Sequence, residues 1–240
     1  DVGGTWWENT YPGCRVDVPS HFYSFSFAQT PEWPQLFSTQ DVLLDYFRSC
    51  VDVLGLRPSI RFGTEVLGAE WDDDTQRWRV RTRTGDDGAE QVDEHDVLVS
   101  AVGQLNRPNF PDIPGRDGYA GIWFHSARWD HSVDLTGRRV GIIGTGASAA
   151  QFIPAVAEQA SELTIFQRTP PWLLPTPNYH DDIEPGLRWF LRKVPGFARW
   201  DRAWLFWRTQ EGLLPMAEVD DDWPDMSQSV SMQNDFIRQL

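Results

Sequence analysis

The window 38–56, STQDVLLDYFRSCVDVLGL, places apolar residues at 43, 44, 47, 51 and 54, a spacing that lays one apolar stripe along a helix. Asp41 is positioned to cap that helix and Gly55 to end it. The period then shortens. SIRFGTEVLGAEWD and RWRVRTRT alternate apolar and polar residues at a spacing near two, with the acidic DDDTQ between them, and predict a β-hairpin over 59–84. GDDGAEQVDE predicts a second solvated turn, and HDVLVSAVG (95–103) a short buried strand. QLNRPNFPDIPG carries three prolines in twelve residues, which excludes helix and central strand and marks the exit from a first domain. Next, GRRVGIIGTGASAAQFIPAVAEQASELTIFQRT predicts a strand at 139–143, a glycine turn, a helix near 147–158 and a strand at 162–167, the start of a βαβ unit. Pro154 removes one backbone bond inside that helix and should bend it. Residues 185–210 predict two amphipathic helices separated by Pro195-Gly196, with Phe197, Trp200, Trp204 and Trp207 on one stripe expected to serve as a packing face. Residues 1–27 form a loop region rich in glycine and aromatic residues, and neither an internal repeat nor a low-complexity tract is present.

Composition narrows the class. Thirteen Trp and 14 Phe in 240 residues imply a flat, rigid, aromatic interior or cleft. The formal charge of 21 − 35 = −14 argues against a nucleic-acid partner, because phosphate contacts need clustered Lys and Arg. One segment departs from this balance: Arg188, Arg192, Lys193, Arg199, Arg202 and Arg208 face the single anion Asp201 between 185 and 210. Such basic amphipathic helices could lie on an anionic membrane, but packing against acidic neighbours or cofactor phosphates is the simpler expectation. Cys14 and Cys50 have neither disulfide-framework nor metal-ligand spacing, so no metal is expected and a reducing cytoplasm fits. The uncharged run 140–157 contains three glycines and a proline, and reads as strand, turn and helix rather than as a membrane span.

The candidate chemistry begins at Gly144-Thr145-Gly146-Ala147-Ser148-Ala149, a G-x-G-x-x-A between an apolar strand and a helix. The first glycine allows the tight turn, the second lets a pyrophosphate reach the backbone, and Ala149 keeps helix and strand close. Free amides at the helix start then face phosphate, and Gln151, one turn further on, is counted with the cofactor-binding residues. Chains that bind NAD carry an acid at the end of the second strand; here that place holds Gln167-Arg168-Thr169, and a guanidinium suits the 2′-phosphate of NADP.

Three segments resemble one family. Tyr119-x-Gly121-x-x-x-His125-x-x-x-Trp129-Asp130 resembles the F-x-G-x-x-x-H-x-x-x-W-(P/D) fingerprint of type I Baeyer–Villiger monooxygenases, with Tyr119 in place of Phe. GGTWWENTYPGCRVD (3–17) is similar to their flavin-facing segment and IFQRTP (165–170) to their NADP-phosphate segment. RWFLRKVPGFARWDRAWLFW with SVSMQND (229–235) resembles most the 4-hydroxyacetophenone monooxygenase branch. Trp129 separates this pattern from related flavin-containing monooxygenases, which usually have Tyr or Phe there.

The resemblance implies an α/β chain with two dinucleotide-binding, Rossmann-like domains, and FAD and NADP as cofactors. Residues 1–115 would be a partial FAD-binding domain carrying the hairpin, 116–137 the fingerprint linker, and 138–240 the NADP-binding domain with its helical segment. The implied reaction inserts one oxygen atom of O2 beside a ketone carbonyl. Gly4, Thr5 and Trp6 would lie along the flavin, while Tyr23 and the backbone at Val66 touch other parts of FAD. Arg15, Val16 and Asp17 would face the nicotinamide, Asp17 orienting a catalytic Arg; without the family it reads as an ordinary loop carboxylate. His125 would couple the domains rather than transfer protons; by itself, a lone His is more often structural. The alternatives are a flavin monooxygenase forming N- or S-oxides and a noncatalytic NADP-binding module. No upstream G-x-G-x-x-G and no downstream catalytic Arg lie within the 240 residues, so the sequence reads as the middle of a longer enzyme, expected to be inactive in isolation.

Overall fold

The computed structural model describes residues 1–171, 176 and 178–209, so SVSMQND (229–235) lies outside the described residues. The chain divides into two compact units: Asp1–Cys14 with Gln40–Pro170, and Arg15–Thr39 with Pro171–Leu240.

In the first unit, α1 (Thr5–Glu8) is a single turn inside the glycine-rich opening, and α2 (Gln40–Val53) follows from the apolar stripe of its sequence. Asp41 lies within the first turn of α2, where a carboxylate complements the helix dipole, rather than ahead of it as a cap. Leu43, Leu44 and Cys50 are the buried residues of α2, whereas Leu54 is exposed beyond the helix end. Gly55, at φ +65°, closes the helix in a Schellman motif: its N–H donates to Asp52 O, and the Leu56 N–H donates to Val51 O.

Strands β1 (Thr64–Asp72), β2 (Arg77–Thr84) and β3 (Glu90–His95) form an antiparallel sheet in that order. Trp71 pairs with Trp78 across β1 and β2, ring edge to face at 5.6 Å, and Glu65 pairs with Arg83 at 2.8 Å. The Asp72 carboxylate accepts from the amides of Asp74 and Thr75 and fixes the turn between them.

The expected second turn and the strand after it need correction. The polar EQVDEH is itself β3, and 97–103 is not a strand, with Val97 and Val99 more than three-quarters exposed. An apolar run becomes a strand only when neighbours take up its backbone groups, and among the described residues none pairs with 97–103. EQVDEH, by contrast, has β2 beside it, with Val80 opposite Asp93.

β4 (Arg139–Ile143), α3 (Ala147–Ala157) and β5 (Glu162–Phe166) follow, β4 and β5 pairing in parallel from Arg139↔Glu162 to Ile143↔Phe166. Ala149, Phe152 and Val156 are buried at helical spacing along α3.

The second unit is held by the buried Trp33, Val16, Phe37, Ile183 and Leu191. Inside it, the Ser20 hydroxyl donates to Ser38 Oγ at 2.8 Å and accepts from the Ser38 amide at 2.9 Å. α4 (Pro185–Lys193) and α5 (Phe197–Thr209) are separated by Gly196 at φ +80°. Trp200 and Trp204 stack in parallel, yet both are exposed, as is Trp207. The aromatic stripe is therefore not a covered packing face among the described residues. Arg192 instead pairs with Glu32, and Arg188 donates to Pro34 O.

Candidate functional site

Parallel pairing brings the carboxyl ends of β4 and β5 to the same sheet edge, where nucleotides bind in open α/β sheets. Gly144 sits there at φ +102°, which disfavours any residue with a Cβ, and its N–H donates to Phe166 O at 2.9 Å. That bond ties the glycine turn to the end of β5, two residues before the exposed Arg168 and Thr169. Gly146 is a different case. Its φ of −72° suits any residue, and a Cβ built on it would meet no protein atom within 4 Å. Backbone strain therefore does not require glycine at 146, whereas close approach of a ligand would. No side chain caps α3, whose first amides, at Ala147 and Ser148, follow the half-buried Thr145. Open space, free amides and a nearby guanidinium fit a dinucleotide whose ribose carries a 2′-phosphate.

The fingerprint segment packs onto this helix. Trp129 lies 5.3 Å, centroid to centroid, from Phe152 of α3 and 5.2 Å from Phe124. Tyr11 packs edge-on against Phe152 at 5.9 Å, and its hydroxyl donates to Gln151 Oε1 at 3.0 Å. The Tyr119 ring folds over Gly121, and a Cβ there would fall 2.4 Å from the far end of that exposed side chain, which could swing aside. His125 caps the short 3-10 turn Ser126–Arg128, its Nδ1 accepting from the Ala127 amide at 3.1 Å. This geometry requires a lone pair on Nδ1, and so the neutral ring protonated at Nε2. Burial, followed by the Arg128 charge, moves the His125 pKa below the ordinary imidazole value and favours that form.

We expect His125→Ala in the full-length protein to slow flavin reduction or raise NADPH use without oxygenation, with FAD still bound. His125→Asn, which can still cap, should recover most of the loss. Stopped-flow reduction and coupling at parental values in the Ala variant would leave His125 no part in turnover.

Gly4, at φ +50° and with open space where its Cβ would be, stands at the amino end of α1. Thr5 is exposed, and Trp6 is buried with its carbonyl accepting from Gln40 Nε2. Val66 is exposed on β1 at the register break between Val66 and Gly68. A cleft of about 580 Å³ is lined by Trp7, Glu8, Thr10, Arg128, Trp129 and Asp130.

Arg15, Val16, Asp17 and Tyr23 belong to the second unit. Arg15 Nη1 donates to Tyr179 O at 2.8 Å and the guanidinium lies over the Tyr179 ring. Val16 is buried, while Asp17 and Tyr23 are exposed. The sequence reading missed Arg202. It donates from Nη1 to His21 O, Phe22 O and Ser24 Oγ at 2.8–3.1 Å and lies over the Phe22 ring, holding the loop that carries Tyr23. Its only signal in the sequence is a cation on a mostly aromatic helix. Among the described residues no group of His, Cys, Asp and Glu could hold a metal, and no helix is long and apolar enough to cross a membrane.

Strand, glycine turn and helix thus define a nucleotide-binding α/β protein. Residues 18–182 match the flavin-binding monooxygenase-like family, and the chain belongs to it. A Baeyer–Villiger monooxygenase of Streptomyces coelicolor is 52% identical over 174 residues, which cover 72% of this chain and 32% of that protein. A Baeyer–Villiger monooxygenase of Pseudomonas aeruginosa is 41% identical over 177 residues, 74% of this chain and 33% of that protein. Among solved structures, the closed form of cyclohexanone monooxygenase superposes with a TM-score of 0.72 at 39% identity, over 84% of this chain and 36% of that one. Oxidized steroid monooxygenase bound to NADP gives 0.71 at 40% identity, over 83% of this chain and 37% of that one. The chain spans about a third of the length of the curated relatives it matches.

Proposed function

We propose that the full-length protein is an NADPH- and FAD-dependent Baeyer–Villiger monooxygenase, converting a ketone and O2 to an ester or lactone. One observation carries the reading: the fingerprint tryptophan, Trp129, packs on Phe152 of the helix that follows the glycine turn. The names of the relatives from Streptomyces and Pseudomonas support the same chemistry.

Residues 138–240 would contribute the NADP domain, 1–115 part of the FAD domain, and 116–137 the linker. When bound, the two cofactors supply hydride transfer and oxygen activation. The chain's own residues hold and orient them. Gly144 and Gly146 would let the pyrophosphate reach the amides of Ala147 and Ser148, and Arg168 with Thr169 would take the 2′-phosphate. Gln151, whose Oε1 accepts from the Tyr11 hydroxyl, would add its side-chain amide to the cofactor site from the next turn of α3. Gly4, Thr5, Trp6 and Val66 would line FAD. Arg15 and Val16 would fix the backbone that presents Asp17 to a catalytic guanidinium, whose charge favours developing negative charge on oxygen. The tail's likeness to the 4-hydroxyacetophenone monooxygenase branch makes aryl ketones the first substrates to try.

Product analysis of the full-length protein with an aryl ketone and NADPH is the direct test. An ester containing one atom from labelled O2 is the expected outcome. N- or S-oxides from amines or sulfides, with no ester from any ketone, would favour the heteroatom-oxidising alternative.

A further inference from the structure

Two polar pairs join segments far apart in sequence beside the cleft that Glu8, Thr10 and Arg128 line. Glu8 Oε1 accepts from Arg128 Nη2 at 3.1 Å, and Thr10 Oγ1 hydrogen-bonds His131 Nε2 at 2.8 Å. Glu8 and Thr10 bracket the loop after α1, and Arg128 and His131 bracket the tail of the fingerprint. Between the pairs lies Trp129, seated on Phe152 of α3; beyond Thr10 comes Tyr11, bonded to Gln151 of the same helix. Three segments therefore meet: the opening loop, the linker, and the helix of the glycine turn. Asp130 is not part of this bridge, because its carboxylate accepts from the amide and hydroxyl of Ser132 and so turns the linker locally.

We propose that Glu8–Arg128 and Thr10–His131 form a two-point clasp that fixes the linker's register against the opening loop, and that these four are positioning residues for coenzyme binding on α3. The proposal rests on the reading above for what the loop and helix hold. A single exposed ion pair contributes little, because solvent screens it and both side chains lose freedom. Two contacts on either side of one bulky anchor act differently. Each shortens the chain that the other must order, so their effects on the position of Trp129 are coupled. Releasing both allows the 126–131 segment to rotate about Trp129 and weakens the seat of α3, while Tyr11 and Phe152 keep the fold.

The test uses the full-length protein with Arg128→Gln, Thr10→Val, the double variant, and the exchange Glu8→Arg with Arg128→Glu. NADP+ affinity is measured by titration, peroxide release per NADPH oxidised by assay, and thermal midpoint and flavin content alongside. The double variant should bind NADP+ about three- to tenfold more weakly, by more than the two single effects combined, and release several-fold more peroxide, with flavin content unchanged. The exchange should restore affinity to within about twofold of the parent. Unchanged NADP+ affinity in the double variant, or a lowered thermal midpoint as the sole effect, overturns the clasp. So does strict additivity of the single variants. If the parent protein oxygenates no ketone, the functional reading fails, but the affinity and cycle measurements still judge the clasp independently.

Discussion

Arg168→Ala in the full-length protein should raise the KM for NADPH by about ten- to a hundredfold and leave that for NADH nearly unchanged. The range corresponds to loss of a charge-assisted hydrogen bond of about 1.5–3 kcal/mol. The expectation comes from position. Arg168 stands two residues beyond the Phe166 carbonyl that accepts from the Gly144 amide, so it shares the sheet edge with the glycine turn. It is exposed, and a long exposed side chain can fold toward a phosphate without giving up a protein partner. Lys at the same place should recover part of the loss, because it keeps the charge but not the fork. Equal losses with both coenzymes would show that Arg168 supports the turn rather than reads the 2′-phosphate, and an unchanged NADPH KM would remove it from the site.

What could be read from the sequence follows from the range of the interactions. β4, α3 and β5 lie within a residue or two of the segments their pattern suggested, because Gly144 and the apolar periods on either side are local signals. β1 and β2 fall inside the alternating window for the same reason. EQVDEH was unreadable as a strand because its place is set by pairing with β2 and not by its own polarity. HDVLVSAVG misled in the opposite direction, having a strand's composition and no paired neighbour among the described residues.

In the site, the glycine turn and the fingerprint are spelled out in consecutive residues. The contacts that give them shape are not. Arg128 meets Glu8 across 120 positions and Arg202 meets His21 O across 181, and no periodicity links such pairs. His125 was legible as a fingerprint letter, but its use of Nδ1 as a cap depends on the turn at Ser126–Arg128. The structure thus supplies a physical reason for one fingerprint position: Trp129 seats the linker on α3.

The second unit should lose about 3 kcal/mol of stability as pH falls from 6.5 to 4, and His21→Phe should abolish most of that loss. His21 is buried, and among the described residues neither ring nitrogen has a hydrogen-bond partner, so burial lowers its pKa to about 4 from 6.5. The sign follows from proton binding. Between those two values the unfolded chain holds a proton that the folded chain does not, so acid favours unfolding; above 6.5 both forms are neutral and the full stability is present. Two and a half pKa units correspond to about 3 kcal/mol. Asp201 acts in the opposite sense, because burial raises its pKa and makes its contribution largest in acid. Asp72, Asp130 and Asp134, lowered mainly by hydrogen bonds to their carboxylates, lose their contributions only as pH falls below about 4, outside the window assigned to His21. Phenylalanine keeps the ring volume and removes the titration, leaving the Arg202 contact to the residue 21 carbonyl in place. Urea midpoints at pH 7, 6, 5 and 4 for the parent and His21→Phe measure the difference. Parallel curves for the two proteins across that range would show that His21 is not the group that acid reaches first.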